Sequence, residues 1–137
     1  MEYLIGIMIG TAISLLGAFT GFDRDRSFYP TVLIVISTYY VLFAVREASP
    51  EILVTELAIA GGFLVAAIIG FRTSLWLVVA GLVTHGLFDH FHHLLADHSG
   101  VPDWWPGFCL TVDLTLGIRF AALLLKRPYP DLYSIPR

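Results

Sequence analysis

Long apolar runs separated by short polar joins dominate the chain. Five runs are separable, at residues 3–20, 28–45, 51–71, 74–95 and 107–125. At about 1.5 Å per residue, each is long enough as a helix to cross a hydrocarbon core of roughly 30 Å. Lipid offers no partner to an exposed backbone N–H or C=O, so runs without period-two alternation predict helices. The expected fold is all-α, a bundle of five transmembrane helices forming one domain over residues 1–137.

The joins support this division. Residues 21–27 alternate acid and base through Asp23, Arg24, Asp25 and Arg26. Ser49 and Pro50, with Glu51 in the first turn, predict the start of the third helix. Arg72 and Thr73 form a tight third join, and residues 96–106 are dense in turn-formers, among them Asp97, Ser99, Gly100, Pro102, Asp103 and Pro106. Glu47 and Glu51 read as solvated interfacial acids. The glycines Gly6 and Gly10, spaced as Gly-x-x-x-Gly, and the pair Gly61 and Gly62 predict close helix packing.

Orientation follows from the basic residues, which favour the cytoplasmic side. With the N-terminus outside, the inner side receives Arg24, Arg26, Arg72, Lys126, Arg127 and Arg137, with Arg119 inside the last helix, whereas the outer side receives Arg46. This asymmetry predicts an outside N-terminus and a cytoplasmic C-terminus. Trp104 and Trp105 then fall in the outer aromatic belt, and Tyr129 and Tyr133 near the inner one.

Polar residues inside the apolar runs carry the chemistry. The fourth run ends in Thr84-His85-Gly86-Leu87-Phe88-Asp89-His90-Phe91-His92-His93. On a helix stepping roughly 100° per residue, His85, Asp89 and His92 lie within about 60° of one another, and His93 about 40° beyond Asp89. His92 lies nearer the stripe axis and His93 completes an i, i+4, i+8 ladder, so both are candidate ligands. The predicted topology brings this stripe, Glu56 and Asp113 to similar depths in the outer half of three different helices. An isolated carboxylate there costs on the order of 2.5 to 3.5 kcal/mol, so the groups are expected to meet. The candidate metal ligands are Glu56, His85, Asp89, His92, His93 and Asp113, with Glu56 and Asp113 as candidate catalytic carboxylates. Imidazole and carboxylate together suit a divalent transition metal, zinc or iron first, as one or two ions. Tyr39 and Tyr40 are expected in the same layer, hydrogen-bonding the ligands from behind.

Plainer roles compete with these. His90 and His98 read as helix-to-helix hydrogen-bond partners. Residues 21–30 read as a salt-bridged turn, with Arg119 reaching Asp23 or Asp25, or as a clamp for an anionic head group through Arg24 and Arg26.

Composition narrows the functional classes. Of 137 residues, 57% are hydrophobic and 14% charged, and the mean hydropathy of +0.79 lies outside the range of soluble domains. The net charge of −3 and the absence of any basic block exclude nucleic acid as a partner. The single cysteine, Cys109, cannot form an internal disulfide and reads as a buried, inert thiol. No basic residue precedes the first run, which is therefore expected to be a membrane span and not a cleavable signal peptide.

Three motifs, Gly-Phe-Asp-Arg-Asp-Arg-Ser-Phe-Tyr-Pro at residues 21–30, His85-Gly86 with Asp89, and Val101-Pro102-Asp103-Trp104-Trp105-Pro106 before Phe108-Cys109, resemble a family of small, uncharacterised bacterial multi-pass membrane proteins. The resemblance covers most of the chain and implies a bacterial inner (plasma) membrane location without implying an activity. The histidine clustering is also similar in style to the histidine-box membrane hydroxylases and desaturases, and to the seven-helix membrane hydrolases that place His and Asp around zinc. The first group carries several separated boxes, whereas this chain has five histidines, four of them in one box. The second has more helices and a characteristic Ser with no counterpart here.

The first functional expectation is a membrane-embedded metal-dependent enzyme, hydrolytic or oxygen-activating, acting on a lipid or small apolar substrate near the outer face. A metal-ion or proton transporter or sensor is the alternative, although the apolar inner halves of the third to fifth runs oppose a continuous polar path. An accessory subunit of a larger membrane complex, with histidines ligating a pigment, is the third. A homo-oligomer is compatible with all three.

Overall fold

A computed structural model describes residues 1–47, 49–92 and 100–126. Every regular element among them is helical: α1 (Glu2–Thr20), the 3-10 turn η1 (Phe22–Arg24), α2 (Phe28–Ser37), α3 (Tyr39–Glu47), α4 (Pro50–Arg72), α5 (Leu75–Phe91) and α6 (Trp105–Lys126). Four helical stretches are long and apolar enough to cross a membrane: Glu2–Thr20, Phe28–Arg46, Pro50–Arg72 and Trp105–Lys126. The fourth predicted span is represented by α5, an apolar helix of 17 residues; residues 93–99 lie outside the described part of the chain. His93, Asp97 and His98 fall in that gap, and Arg127, Tyr129, Tyr133 and Arg137 lie beyond the last described residue.

The packing is the reverse of a soluble bundle. Small residues point inward on α1, where the buried positions are Gly6, Gly10, Ser14 and Gly17. Large ones point outward, with Leu15 65% and Phe19 92% exposed. Lipid solvates such side chains, so helices associate through close backbone approach and not by hiding apolar area from water. A Cβ at Gly10 would stand 2.9 Å from Thr115 Cβ and 3.1 Å from the Val112 carbonyl, so α1 lies directly on α6. The expectation for Gly61 and Gly62 fails: a Cβ on either would meet nothing within 4 Å. Their backbone faces no neighbouring helix, and the pair does not serve packing.

The second predicted span is interrupted. Ser37 and Thr38 turn their hydroxyls back onto the carbonyls of Ile34 and Val35, at 2.8 and 2.7 Å, and the Thr38 amide bonds Val35 at 3.1 Å. Two consecutive hydroxyl side chains thus tighten the last turn of α2, and α3 starts afresh at Tyr39. The predicted start of α4 is observed, with Ser49 extended at the N-cap and Pro50 in the first turn.

Successive helices run up and down, so the bundle has two chemically different ends. At one end Arg119 of α6 donates to Asp23 at 3.1 Å, and Arg26 Nε caps α4 by donating to the Phe71 carbonyl at 2.9 Å. The salt-bridged turn expected at residues 21–30 is therefore observed. Gly21 adopts φ 81°, a left-handed conformation that closes α1 and opens this turn. The Ser27 amide and hydroxyl both donate to Asp25 Oδ1, at 2.8 and 2.7 Å, and hold that carboxyl below the usual carboxylate range. An apolar core including Tyr29, Leu33, Val78, Leu82, Leu116 and Phe120 fills the bundle above this turn. The buried acids and histidines of α4, α5 and α6, namely Glu56, His85, Asp89, His92 and Asp113, lie beyond it.

Candidate metal centre

α5 supplies one turn of the site by itself. His85 and Asp89, four residues apart, lie on its buried face, and His92 follows at the C-cap. Their relative exposures are 3%, 1% and 2%, so the stripe predicted from helical spacing faces inward in full. α6 brings Asp113, 1% exposed, and α4 brings Glu56, also 1% exposed. Gly86 sets the α5–α6 distance at this level, since a Cβ there would stand 2.9 Å from Asp113 Cβ and 3.2 Å from the Leu110 carbonyl. Any larger residue would push Asp113 away from His85.

The described buried groups form two neighbouring sets, whereas the sequence predicts that Glu56, His85, Asp89, Asp113 and one or both of His92 and His93 meet around one or two ions. In the first, His85 Nδ1 lies 2.8 Å from Asp113 Oδ2 and 3.7 Å from Asp89 Oδ2. One ligand atom each from His85, Asp89 and Asp113 falls within 4.8 Å of the others. In the second, His92 Nε2 pairs with Glu56 Oε1 at 2.8 Å. Glu56 and His92 thus stand outside the triad, because Glu56 of α4 meets α5 at His92, about two turns nearer its end than His85, where Asp113 of α6 meets it. Of the two adjacent histidine candidates, His92 is buried, and His93 lies outside the described residues.

Tyr40 joins the centres. Its hydroxyl donates to the Asp89 carbonyl at 3.5 Å, and its ring lies over that of His92 with centroids 4.3 Å apart. Tyr39 does not reach this layer: it is 37% exposed and packs edge-on against Trp105 at 5.3 Å. Helical spacing within α3 accounts for the difference, since adjacent residues point about 100° apart and one of the two turns away. Phe63 stands edge-on to His85 at 4.7 Å, and Phe88 edge-on to His92 at 5.2 Å, so aromatic rings wall both histidines. Trp105 packs against Phe43 at 5.1 Å over the same end of the bundle.

Asp89 is the anomaly. Neither of its carboxylate oxygens has a hydrogen-bond partner of ordinary geometry among the described residues, although the residue is 1% exposed. The weak donor Cys109, 7% exposed and unpaired, has its thiol beside this carboxylate. A buried carboxylate without donors is expensive, and such groups are normally paired or bound to a cation. Two ligand atoms on a tetrahedral zinc at about 2.0–2.1 Å lie about 3.3 Å apart, between the 2.8 and 3.7 Å separations from His85 seen here.

Gly86, Phe63 and Cys109 were not legible as site residues. Cys109 carried one usable signal, since it precedes Asp113 by four residues and so shares its helix face.

Fold and site together define a class, an all-helical, membrane-type protein with a buried histidine–carboxylate centre. No protein family, curated protein or solved structure matches the chain.

Proposed function

We propose that the chain is a membrane-embedded metal-binding protein in which His85, Asp89 and Asp113 hold one divalent transition metal, zinc or iron. The observation that carries this reading is Asp89, buried beside an imidazole and a second carboxylate with no donor stronger than the Cys109 thiol among the described residues. Imidazole with carboxylates is a donor set suited to either metal. The basic residues Arg24, Arg26, Arg72, Arg119 and Lys126 belong to the opposite end, so the positive-inside tendency sets the metal centre toward the outer face of a bacterial inner membrane.

The activity that fits is metal-dependent hydrolysis of a lipid or other apolar substrate. An ion held here supplies a water acidic enough to give hydroxide near neutral pH. The paired Glu56 and His92, one helix turn away, then serve as the proton acceptor. A two-iron, oxygen-activating role fits less well, because Glu56 and His92 add only two ligand groups to the triad. Transport is the weaker reading, because the apolar core between the two ends of the bundle offers an ion no polar path.

Metal analysis tests the proposal. The full chain, purified in detergent, incubated with zinc or ferrous ion and passed through a desalting column, is expected to carry about one ion per chain, as one closed triad implies. His85→Ala and Asp89→Asn are expected to abolish that retention. Equal, substoichiometric metal in all three proteins would overturn the reading. Metal uptake into vesicles containing the protein would favour transport over hydrolysis.

A further inference from the structure

The turn end of the bundle holds a second feature, independent of the metal centre. α1 and α2 are consecutive and joined through η1, yet they pack elsewhere: α1 on α6, and α2 on α4 and α5. They approach each other at the turn, where the Phe28 ring lies against Gly17. Away from it they enclose a groove of about 420 Å³.

Its walls are apolar, with Ile13 on one side, Val32, Val35 and Ile36 on the other, Phe22 near the turn and Tyr39 at the far end. Asp25 and Ser27 mark the polar mouth. Both flanking helices belong to stretches long and apolar enough to span a membrane, so the groove opens into lipid. Left empty it would forfeit dispersion contacts along its whole lining, and water has no partners on its apolar walls.

Length selects the occupant. From Ser27 to Tyr39 the chain rises about 18 Å at 1.5 Å per residue, a little over half of a hydrocarbon core of roughly 30 Å. A groove that begins at the interface and ends near mid-membrane suits one acyl chain of one leaflet. A helix from a second copy would need the full thickness and a channel about 10 Å wide. Charge at the mouth agrees. Arg24, between the lining residues Phe22 and Asp25, is exposed, and Asp25 already accepts two hydrogen bonds from Ser27. A phosphate at that level finds a guanidinium donor.

We infer that the groove between α1 and α2 holds one acyl chain of a glycerophospholipid whose phosphate is met by Arg24. The lipid belongs to the leaflet at the basic end, opposite the metal centre. This inference stands whether or not a metal binds.

The test uses the full chain in nanodiscs made of equal parts phosphatidylglycerol and phosphatidylcholine, with a trace of phospholipid carrying a photoreactive diazirine near the end of one acyl chain. Illumination of the wild-type protein is expected to label the peptide containing Val32 to Ile36 in preference to α4. Native mass spectrometry after mild extraction is expected to show one retained phospholipid per chain. Filling the groove with Val32→Trp and Ile36→Trp is expected to lower retention about tenfold, whereas Val65→Trp on the exposed face of α4 leaves it unchanged. Arg24→Gln is expected to remove the preference for phosphatidylglycerol without removing the acyl-chain label. Uniform labelling of α2 and α4, or equal retention in the groove-filled and Val65→Trp proteins, would overturn the inference. So would a dimer mass that replaces the lipid-bound monomer, since a second copy would then be the occupant.

Discussion

Asp113 of α6 binds Nδ1 of His85 at 2.8 Å, while Asp89, one turn along α5 and 3.7 Å from the same nitrogen, has only the weak thiol donor of Cys109 beside it among the described residues. One imidazole nitrogen cannot serve two carboxylates at bonding distance. The helix spacing therefore places two carboxyl groups beside one imidazole in a buried site, an arrangement that either a proton or a cation would neutralise.

The Asp89→Asn variant separates this cause from a structural one. Without metal, the substitution removes an uncompensated buried charge and is expected to leave the protein as stable as wild type or more so, by about 1–3 kcal/mol. With saturating zinc, wild type is expected to gain stability and the variant none, because binding to the native state alone raises stability by mass action. Thermal unfolding in detergent with and without zinc measures both. A variant less stable than wild type in the metal-free state would show that Asp89 has a structural partner.

The second centre makes a contrasting prediction. Glu56→Ala leaves His92 buried against an empty position and is expected to destabilise the protein by about 1–3 kcal/mol. Metal retention is expected to persist, since Glu56 stands outside the triad. Loss of metal together with stability in Glu56→Ala would merge the two centres into one.

Close packing of α1 is testable at its glycines. Gly10→Leu must displace Thr115 and the Val112 backbone, which is expected to cost about 1–3 kcal/mol or to detach α1 from α6. Gly62→Ala meets nothing and is expected to be neutral or to stabilise α4 by up to about 1 kcal/mol. Resistance to denaturation in mixed detergent ranks the two, and equal effects would contradict the packing described for α1.

At the turn end, Asp23 is 4% exposed and its partner Arg119 about one-third exposed. Partial solvent screening limits the pair, so Arg119→Gln is expected to cost about 1 kcal/mol. In the double variant Asp23→Asn, Arg119→Gln the loss is expected to be smaller than the sum of the single losses, because neither change then leaves a charge unmatched. Additive losses would mean that the two residues act independently.

Apolar run length marked where the helices are, since lipid forces a spanning backbone to satisfy its own hydrogen bonds. Angular spacing put His85, Asp89 and His92 on one inward face, because residues three and four apart on a helix share a side whatever surrounds it. Alternation of the spans then brought Glu56 and Asp113 to the same end of the bundle, and charge alternation in residues 23–26 pointed to the pairing with Arg119. Those readings depend on local geometry and on the order of elements, which a linear chain records.

What the chain order leaves open is the distance and rotation between helices. Only packing decided that Asp113 meets His85 while Glu56 meets His92, because a carboxylate chooses among nearby imidazoles by separations of an ångström or two. The rotation of α3 decided that Tyr40 turns inward and Tyr39 outward. Close approach at Gly86 and open space at Gly61 and Gly62 follow from which helix lies opposite, and a glycine has no side chain to announce its neighbour. The sequence by itself determined a helical membrane-type chain with one polar end and one basic turn; the tertiary structure decided which acids gather at His85 and which one pairs with His92.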